Sequence, residues 1–286
     1  MPVVMVSTLT VAGGEATLRA LELGAVDFVT KPSARVSGDA EQRFAAEIAA
    51  KVRIAAAAAP SVARRARLMH STPALPQPTG APLGMGARNA VVAIGASTGG
   101  IEAITTVLGG LPAQAPPLLI VQHLPQPFTR LFAMRLNSLC ALKVKEAEHG
   151  DILHPGHVYI APGNRHLRLT RGVSGLVTQL ADDALHNGHR PSVDHLFSSV
   201  AQWAGASAIG VILSGMGADG AAGLLQMRQA GAMTLAQDAA SCVVYGMPRA
   251  ALELGAVARQ VALEQLAAEI LSGLRALDKT PLTKKK

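Results

Sequence analysis

Val91-Val92-Ala93-Ile94-Gly95-Ala96-Ser97-Thr98-Gly99-Gly100 runs from an apolar, β-branched segment into a turn of small residues, and helical periodicity follows over Ile101 to Gly109. Such a run is a buried strand delivering its chain into a helix. Ser97 stands at the turn, bracketed by Gly95 and Gly99 as G-x-S-x-G, a pattern that exposes a hydroxyl at a strand end and aims helix N–H groups at a developing oxyanion. Two other readings stay open at this point. Ser97 or Thr98 can cap the helix, or the loop can cradle a phosphate. A dinucleotide fingerprint is excluded, because Ser97 occupies the place of the second glycine in G-x-G-x-x-G.

Working outward, strands and helices alternate. Strand Ala90 to Ile94 and its helix lead to strand Pro117 to Gln122, helix Pro127 to Leu139 and a short strand near Val144. A hairpin is expected next, Val158 to Ala161 against His166 to Thr170 across Pro162-Gly163-Asn164. Helix Val193 to Trp203, strand Ala208 to Ser214, helix Gly220 to Ala230, strand Met233 to Gln237 and helices Pro248 to Leu254 and Leu263 to Ala276 complete the order. This predicts an α/β fold, a doubly wound and mostly parallel sheet with a β-hairpin, whose chemistry lies beyond the carboxyl ends of the strands.

Before this catalytic domain (89–278) the pattern is strand Pro2 to Ser7, helix Glu15 to Leu23, strand Ala25 to Thr30 and helix Glu41 to Ala58, a β-α-β-α unit over 1–58 with an open strand edge. Residues 59–88, rich in Ala, Pro and Arg, read as a flexible linker, and 279–286 as a basic tail. The formal charge is +7. It is concentrated in Lys51, Arg53, Arg64, Arg65, Arg67, Arg88 and the terminal lysines, whereas Asn89 to Asp278 carries 12 Lys/Arg against 13 Asp/Glu. That distribution, with 3% aromatic residues, argues against a nucleic-acid partner. Two cysteines without metal spacing, no secretory leader and no membrane-length apolar run point to a cytoplasmic protein that is not inserted in a membrane.

A serine needs a base. His123 ends the strand Leu118 to Gln122, which brings it to the same sheet edge as Ser97. The remaining histidines, His70, His149, His154, His157, His166, His186, His189 and His195, read as exposed or hairpin-supporting residues; a metal site from His149, His154 and His157 lacks a strong ligand pattern, and no metal or cofactor is expected. Asp219 follows the strand Ile209 to Ser214. It either caps the helix that begins at Gly220 or accepts the His123 ring N–H. The main-chain amides of Thr98 and Met216 are candidate oxyanion donors. The chain order Ser, His, Asp differs from the Ser, Asp, His order of α/β-hydrolases.

Ile94 to Gly100, Val121-Gln122-His123-Leu124-Pro125 and Leu213 to Gly220, supported by Tyr159 to Gly163, His189 to Asp194 and Ala236-Gln237-Asp238, resemble the active-site segments of chemotaxis-specific protein-glutamate methylesterases, the CheB family. The resemblance implies Ser97 as nucleophile, His123 as general base and Asp219 as its orienting acid. It also implies hydrolysis of glutamate γ-methyl esters, and glutamine deamidation, on the cytoplasmic domain of methyl-accepting chemoreceptors. Met1 to Ala58 is similar to the last part of a flavodoxin-like response-regulator receiver, with Ser7 at the switch hydroxyl and Lys31 at the phosphate-binding lysine. In the family that domain takes its phosphoryl group from a histidine kinase. The aspartate that accepts it belongs to earlier strands than those present here, so activity independent of a phosphodonor is the expectation. The rival reading from the residues alone is a non-enzymatic phosphate- or nucleotide-binding α/β module.

Overall fold

The computed structural model describes residues 1–8, 11–32, 38–69 and 83–279. The N-terminal lobe runs β1 (Val4–Ser7), α1 (Val11–Glu22), β2 (Asp27–Thr30) and α2 (Gly38–Met69). After α3 (Met85–Arg88) come β3 (Val91–Ala96), α4 (Gly100–Gly109), β4 (Leu118–Gln122), α5 (Phe128–Leu139), β5 (Lys143–Glu146) and β6 (His157–Ile160). The chain ends with β7 (His166–Gly172), β8 (Gly175–Ala181), α6 (Val193–Trp203), β9 (Ala208–Ile212), α7 (Ala221–Gln229), β10 (Met233–Gln237), α8 (Met247–Glu253), β11 (Arg259–Val261) and α9 (Leu266–Lys279).

β11-β10-β9-β3-β4-β6-β5 form one seven-stranded sheet in which every pairing is parallel. All residues of β3, β4 and β9 are buried, as a parallel sheet covered on both faces requires. Alternate residues serve opposite cores. Val92, Ile94, Ile120 and Val211 pack with α4, α5 and α9 on one face, and Val91, Ala93, Val121 and Ile212 pack with α6, α7 and α8 on the other. The sheet grows first toward β4 and later toward β9, so the direction of winding reverses around β3. Crevices open beyond the carboxyl ends of strands at such a reversal.

Three expectations are corrected. The antiparallel hairpin exists, but its strands are β7 and β8, in register from His166↔Ala181 to Gly172↔Gly175. The segment expected to be its first strand is β6, which pairs in parallel with β4 and β5. Its run His157–Ile160 is too apolar for one face of a hairpin, and the sheet buries its last three residues. Second, β11 joins the sheet edge where the sequence reading placed no strand. Third, α2 continues past Ala58 through Pro60 to Met69, because the alanine-rich stretch before the proline favours helix strongly; residues 70–82 of the expected linker lie outside the described residues, as does 280–286 of the tail.

The lobe pairs β1 with β2 in parallel and leans on the helices of the seven-stranded unit. The Phe28 ring packs, tilted by 36°, at a 4.7 Å centroid distance from Phe128 of α5. The Arg135 guanidinium donates two hydrogen bonds to Glu22, at 2.8 and 3.1 Å. Val26, Ala55 and Ala58 share a small core with Val243.

Candidate active site

Strand register fixes where the candidate residues stand. β3 lies between β4 and β9, with Ala96 beside Gln122 and Gly95 beside Ile212. The residues that leave these strands therefore emerge side by side. The His123 N–H donates to the Ala96 carbonyl at 3.1 Å, and the Ser97 N–H donates to the Ser214 carbonyl at 3.0 Å. The Ser97 carbonyl accepts the Gly100 N–H at 2.8 Å and the buried Gln122 side-chain amide at 2.9 Å. Gly99, at φ +79°, turns the chain into α4 and is its N-cap, without a side-chain cap. Neither Ser97 nor Thr98 is used to cap that helix.

His123 Nε2 lies 2.8 Å from Asp219 Oδ2. Asp219 does not cap the helix that follows it: α7 begins after Gly220 with no side-chain cap. Its carboxylate instead faces the N-terminus of α6. It accepts the Val193 N–H at 2.7 Å, the Asp194 N–H at 3.2 Å and the Ser192 hydroxyl at 2.7 Å. Close approach of α6 depends on Gly95, where a Cβ would stand 2.2 Å from Val193 Cγ1. Burial works against the Asp219 charge, but the His123 hydrogen bond and charge, with the α6 donors, hold its carboxyl far below the usual carboxylate range. A carboxylate so held stays ionised and accepts a hydrogen bond from Nε2–H, which leaves Nδ1 as the basic nitrogen. Nδ1 is buried and has no hydrogen-bond partner. The roles of the two ring nitrogens are thus exchanged relative to the serine-protease arrangement, in which the aspartate takes Nδ1.

Ser97 and His123 line one cavity of about 740 Å³, together with Thr98, His189, Met216 and Gly217. The Ser97 hydroxyl makes no hydrogen bond among the described residues, and neither do the main-chain N–H groups of Thr98 and Met216. The Ser97 N–H, being bonded to Ser214, is not available to a substrate. One wall of the cavity comes from the lobe, including Asp27, Phe28, Lys51 and Ile54. Thr98 Oγ1 donates to Asp27 Oδ2 at 2.6 Å, and Lys51 Nζ in turn donates to Asp27 Oδ1 at 3.2 Å.

Ser7 and Lys31 stand at neighbouring carboxyl ends in the lobe, where the Lys31 N–H donates to the Ser7 carbonyl at 2.7 Å. The Ser7 hydroxyl donates to the Gly13 carbonyl at 2.9 Å. His149, His154 and His157 do not converge as ligands among the described residues. His186, Asp194 and Asp219 do, with ligand atoms within 4.8 Å. Both Asp219 oxygens, however, already accept N–H or O–H donors. Asp194, whose carboxyl is pushed up by burial and by the charge of Asp219, accepts the Gly223 N–H and the Asn187 amide. The donor set is that of a hydrogen-bonded carboxylate pair and fits no cation.

The residue pattern reads His189 as one of the exposed or hairpin-supporting histidines, yet its ring lies flat against His123, with centroids 3.8 Å apart and planes 9° from parallel. Ser192 was likewise not singled out. The signals were present: Asn187-Gly188 is a two-residue turn sequence flanked by histidines, and Ser192 directly precedes a helical period.

Residues 92–270 match the model of the CheB methylesterase family. A protein-glutamate methylesterase/protein-glutamine glutaminase of Dechloromonas aromatica is 50% identical over 277 residues, covering 96% of this chain and 78% of the relative. One from Shigella flexneri is 52% identical over 276 residues, covering 96% and 76%. The crystal structure of the Thermotoga maritima CheB methylesterase catalytic domain superposes with a TM-score of 0.63 at 36% identity, covering 64% of this chain and 97% of that one. Fold and matches define an α/β protein of the methylesterase class. The chain belongs to the CheB methylesterase family.

Proposed function

We propose that this chain hydrolyses glutamate γ-methyl esters on the cytoplasmic domain of methyl-accepting chemoreceptors, and deamidates glutamines there, with Ser97 as nucleophile, His123 as general base and Asp219 as the carboxylate that orients it. The observation that carries the reading is the His123 ring, tied through Nε2 to a carboxylate kept ionised by α6, with an unpartnered, buried Nδ1, in a residue that lines the same cavity as Ser97. His123 Nδ1 takes the hydroxyl proton as Ser97 Oγ attacks the side-chain carbonyl carbon. The proton then passes to the leaving methoxide or amide nitrogen, which departs as methanol or ammonia. Water, activated by the same nitrogen, cleaves the acyl-serine and returns a glutamate carboxylate. Asp219 stabilises the imidazolium formed at each stage.

The Thr98 and Met216 N–H groups, unpaired among the described residues, are the donors available to the tetrahedral oxyanion, each supplying about 3 kcal/mol in such sites. The reaction needs no metal or organic cofactor. We also assign residues 1–58 to the last part of a receiver domain, with Ser7 and Lys31 in their receiver roles and a histidine kinase as the partner of the intact arrangement, and 89–278 to catalysis in the cytoplasm. Among the described residues no helix is long and apolar enough to cross a membrane.

The test is methanol release from methylated receptor fragments. Ser97→Ala is expected to lower it by about 10³-fold or more, without loss of folded structure. A fluorophosphonate probe is expected to label Ser97. An active Ser97→Ala protein, or a probe that leaves Ser97 unlabelled while nucleotide raises the melting temperature, would favour the binding-module reading instead.

A further inference from the structure

His189 is held in place by its own loop. His186 and His189 exchange both main-chain hydrogen bonds, at 3.0 and 2.9 Å. Between them Asn187 and Gly188 take positive φ angles of 50° and 79°, as a tight two-residue hairpin turn requires. The next residue anchors the loop to its surroundings: the Arg190 guanidinium donates to Asn164 Oδ1 at 2.7 and 3.1 Å and to the carbonyls of Asp182 and Asp183 at 3.0 and 2.9 Å. The ring is therefore presented to His123 by backbone that is fixed on both sides.

Its hydrogen-bonding capacity is not what this placement uses. Neither nitrogen of His189 has a hydrogen-bond partner among the described residues, so the ring neither relays a proton within the protein nor orients a side chain by a polar contact. What it gives His123 is a face. Burial, followed by repulsion from His123, lowers its pKa to about 4, so at neutral pH the stacked ring is uncharged. An uncharged aromatic face attracts a cation lying over it, and a base that has accepted a proton becomes one.

We propose that His189 is a positioning residue for the hydrolysis: its ring, laid on His123, holds the imidazole in the plane that keeps Nε2 on Asp219 and stabilises the imidazolium formed in acyl transfer. This rests on the reading of Ser97, His123 and Asp219 given above. The contribution belongs to the transition state, where the ring holds the proton taken from the Ser97 hydroxyl. Its loss should therefore appear in kcat and not in KM.

The experiment compares His189→Phe, His189→Leu and His189→Ala in the full chain, measuring kcat and KM for methanol release, the rate of Ser97 labelling by a fluorophosphonate and thermal melting. His189→Leu and His189→Ala should lower kcat about tenfold, a size expected for a half-buried cation–aromatic contact, with KM within about twofold of the parent. His189→Phe should keep at least half of kcat, because it restores a face without a titratable group. Labelling rates, normalised to folded protein, should follow kcat, which separates the effect from any loss of stability. Leucine as active as the parent, or phenylalanine as impaired as alanine, overturns the proposal. Ser97→Ala distinguishes the two levels. If that variant is inactive while all three His189 variants keep full kcat, this inference alone fails; if it is active, the reading of the triad fails and this inference goes with it.

Discussion

In the catalytic sheet β3 and β4 bury every residue between two helical layers, whereas in the lobe β1 buries only Ser7 and leaves Val6 42% exposed. Both are parallel pairings, and parallel strands require cover on both faces. The sheet supplies its own cover from α4, α5 and α9 on one side and α6, α7 and α8 on the other. The lobe borrows part of its cover: Leu18, Leu21 and Phe28 belong to the same core as Phe128 and Phe132, and Val26 packs with Val243. The contacts that complete the lobe also hold it over the cavity, where Asp27 meets Thr98.

The contrast can be broken most directly in the two hydrophobic interiors. Ile120→Ala, at a fully buried position of β4, should cost about 3 kcal/mol, while Val6→Ala should stay within about 0.5 kcal/mol. Urea midpoints measure both, and equal losses would mean that the outer strand of the lobe is as well packed as the sheet. Acid should discriminate next. Burial lowers the pKa of His189 and of His195 to about 4, and both lie in the catalytic domain. Between about pH 6.5 and pH 4 the unfolded chain binds protons at these sites and the folded chain does not. Stability should therefore fall as pH falls through that window, and Asp219 adds a further loss only below the ordinary carboxylate range. A urea midpoint that is the same at pH 7 and pH 4.5, or a His189→Phe protein with the parent's full pH dependence, would contradict this. The smallest effect concerns the docking contact. Arg135→Ala removes a partly exposed ion pair with Glu22, worth about 0.5 kcal/mol, and should raise amide exchange in Leu21 to Phe28 about twofold while leaving β3 and β4 unchanged; equal exchange in both regions would show that the pair does not hold the lobe.

The central strands were legible because β3, β4 and β9 are continuous apolar runs, which a sheet covered on both faces demands, and because glycine-rich turns follow two of them. β11 was not legible: Arg259 and Gln260 are exposed, so three residues carry almost no apolar signal. β8 was missed for a related reason, since Gly175–Ala181 alternates Leu, Thr and Gln with only Thr178 and Leu180 buried. The partners of a hairpin are set by tertiary pairing, and proximity in sequence favoured β6 until the sheet claimed it. Ser97 and His123 could be chosen because each directly follows a strand, and Asp219 because it lies in the glycine-rich turn beyond β9. His189 follows none; it reaches His123 through a loop folded back on itself, and stacking between side chains leaves no periodic trace.

The adjacency of β4, β3 and β9 has a consequence for how freely the rest of the chain can change. Neighbouring strands keep a spacing of about 4.8 Å whatever joins them, so the three polar groups inherit their separations from a lattice constant and not from contour length. His123 and Asp219 are 96 positions apart, and that span includes the β7–β8 ribbon. Insertions at the Val173 tip, which is fully exposed, would leave those separations untouched, which makes that tip a suitable place to graft a reporter or an affinity peptide.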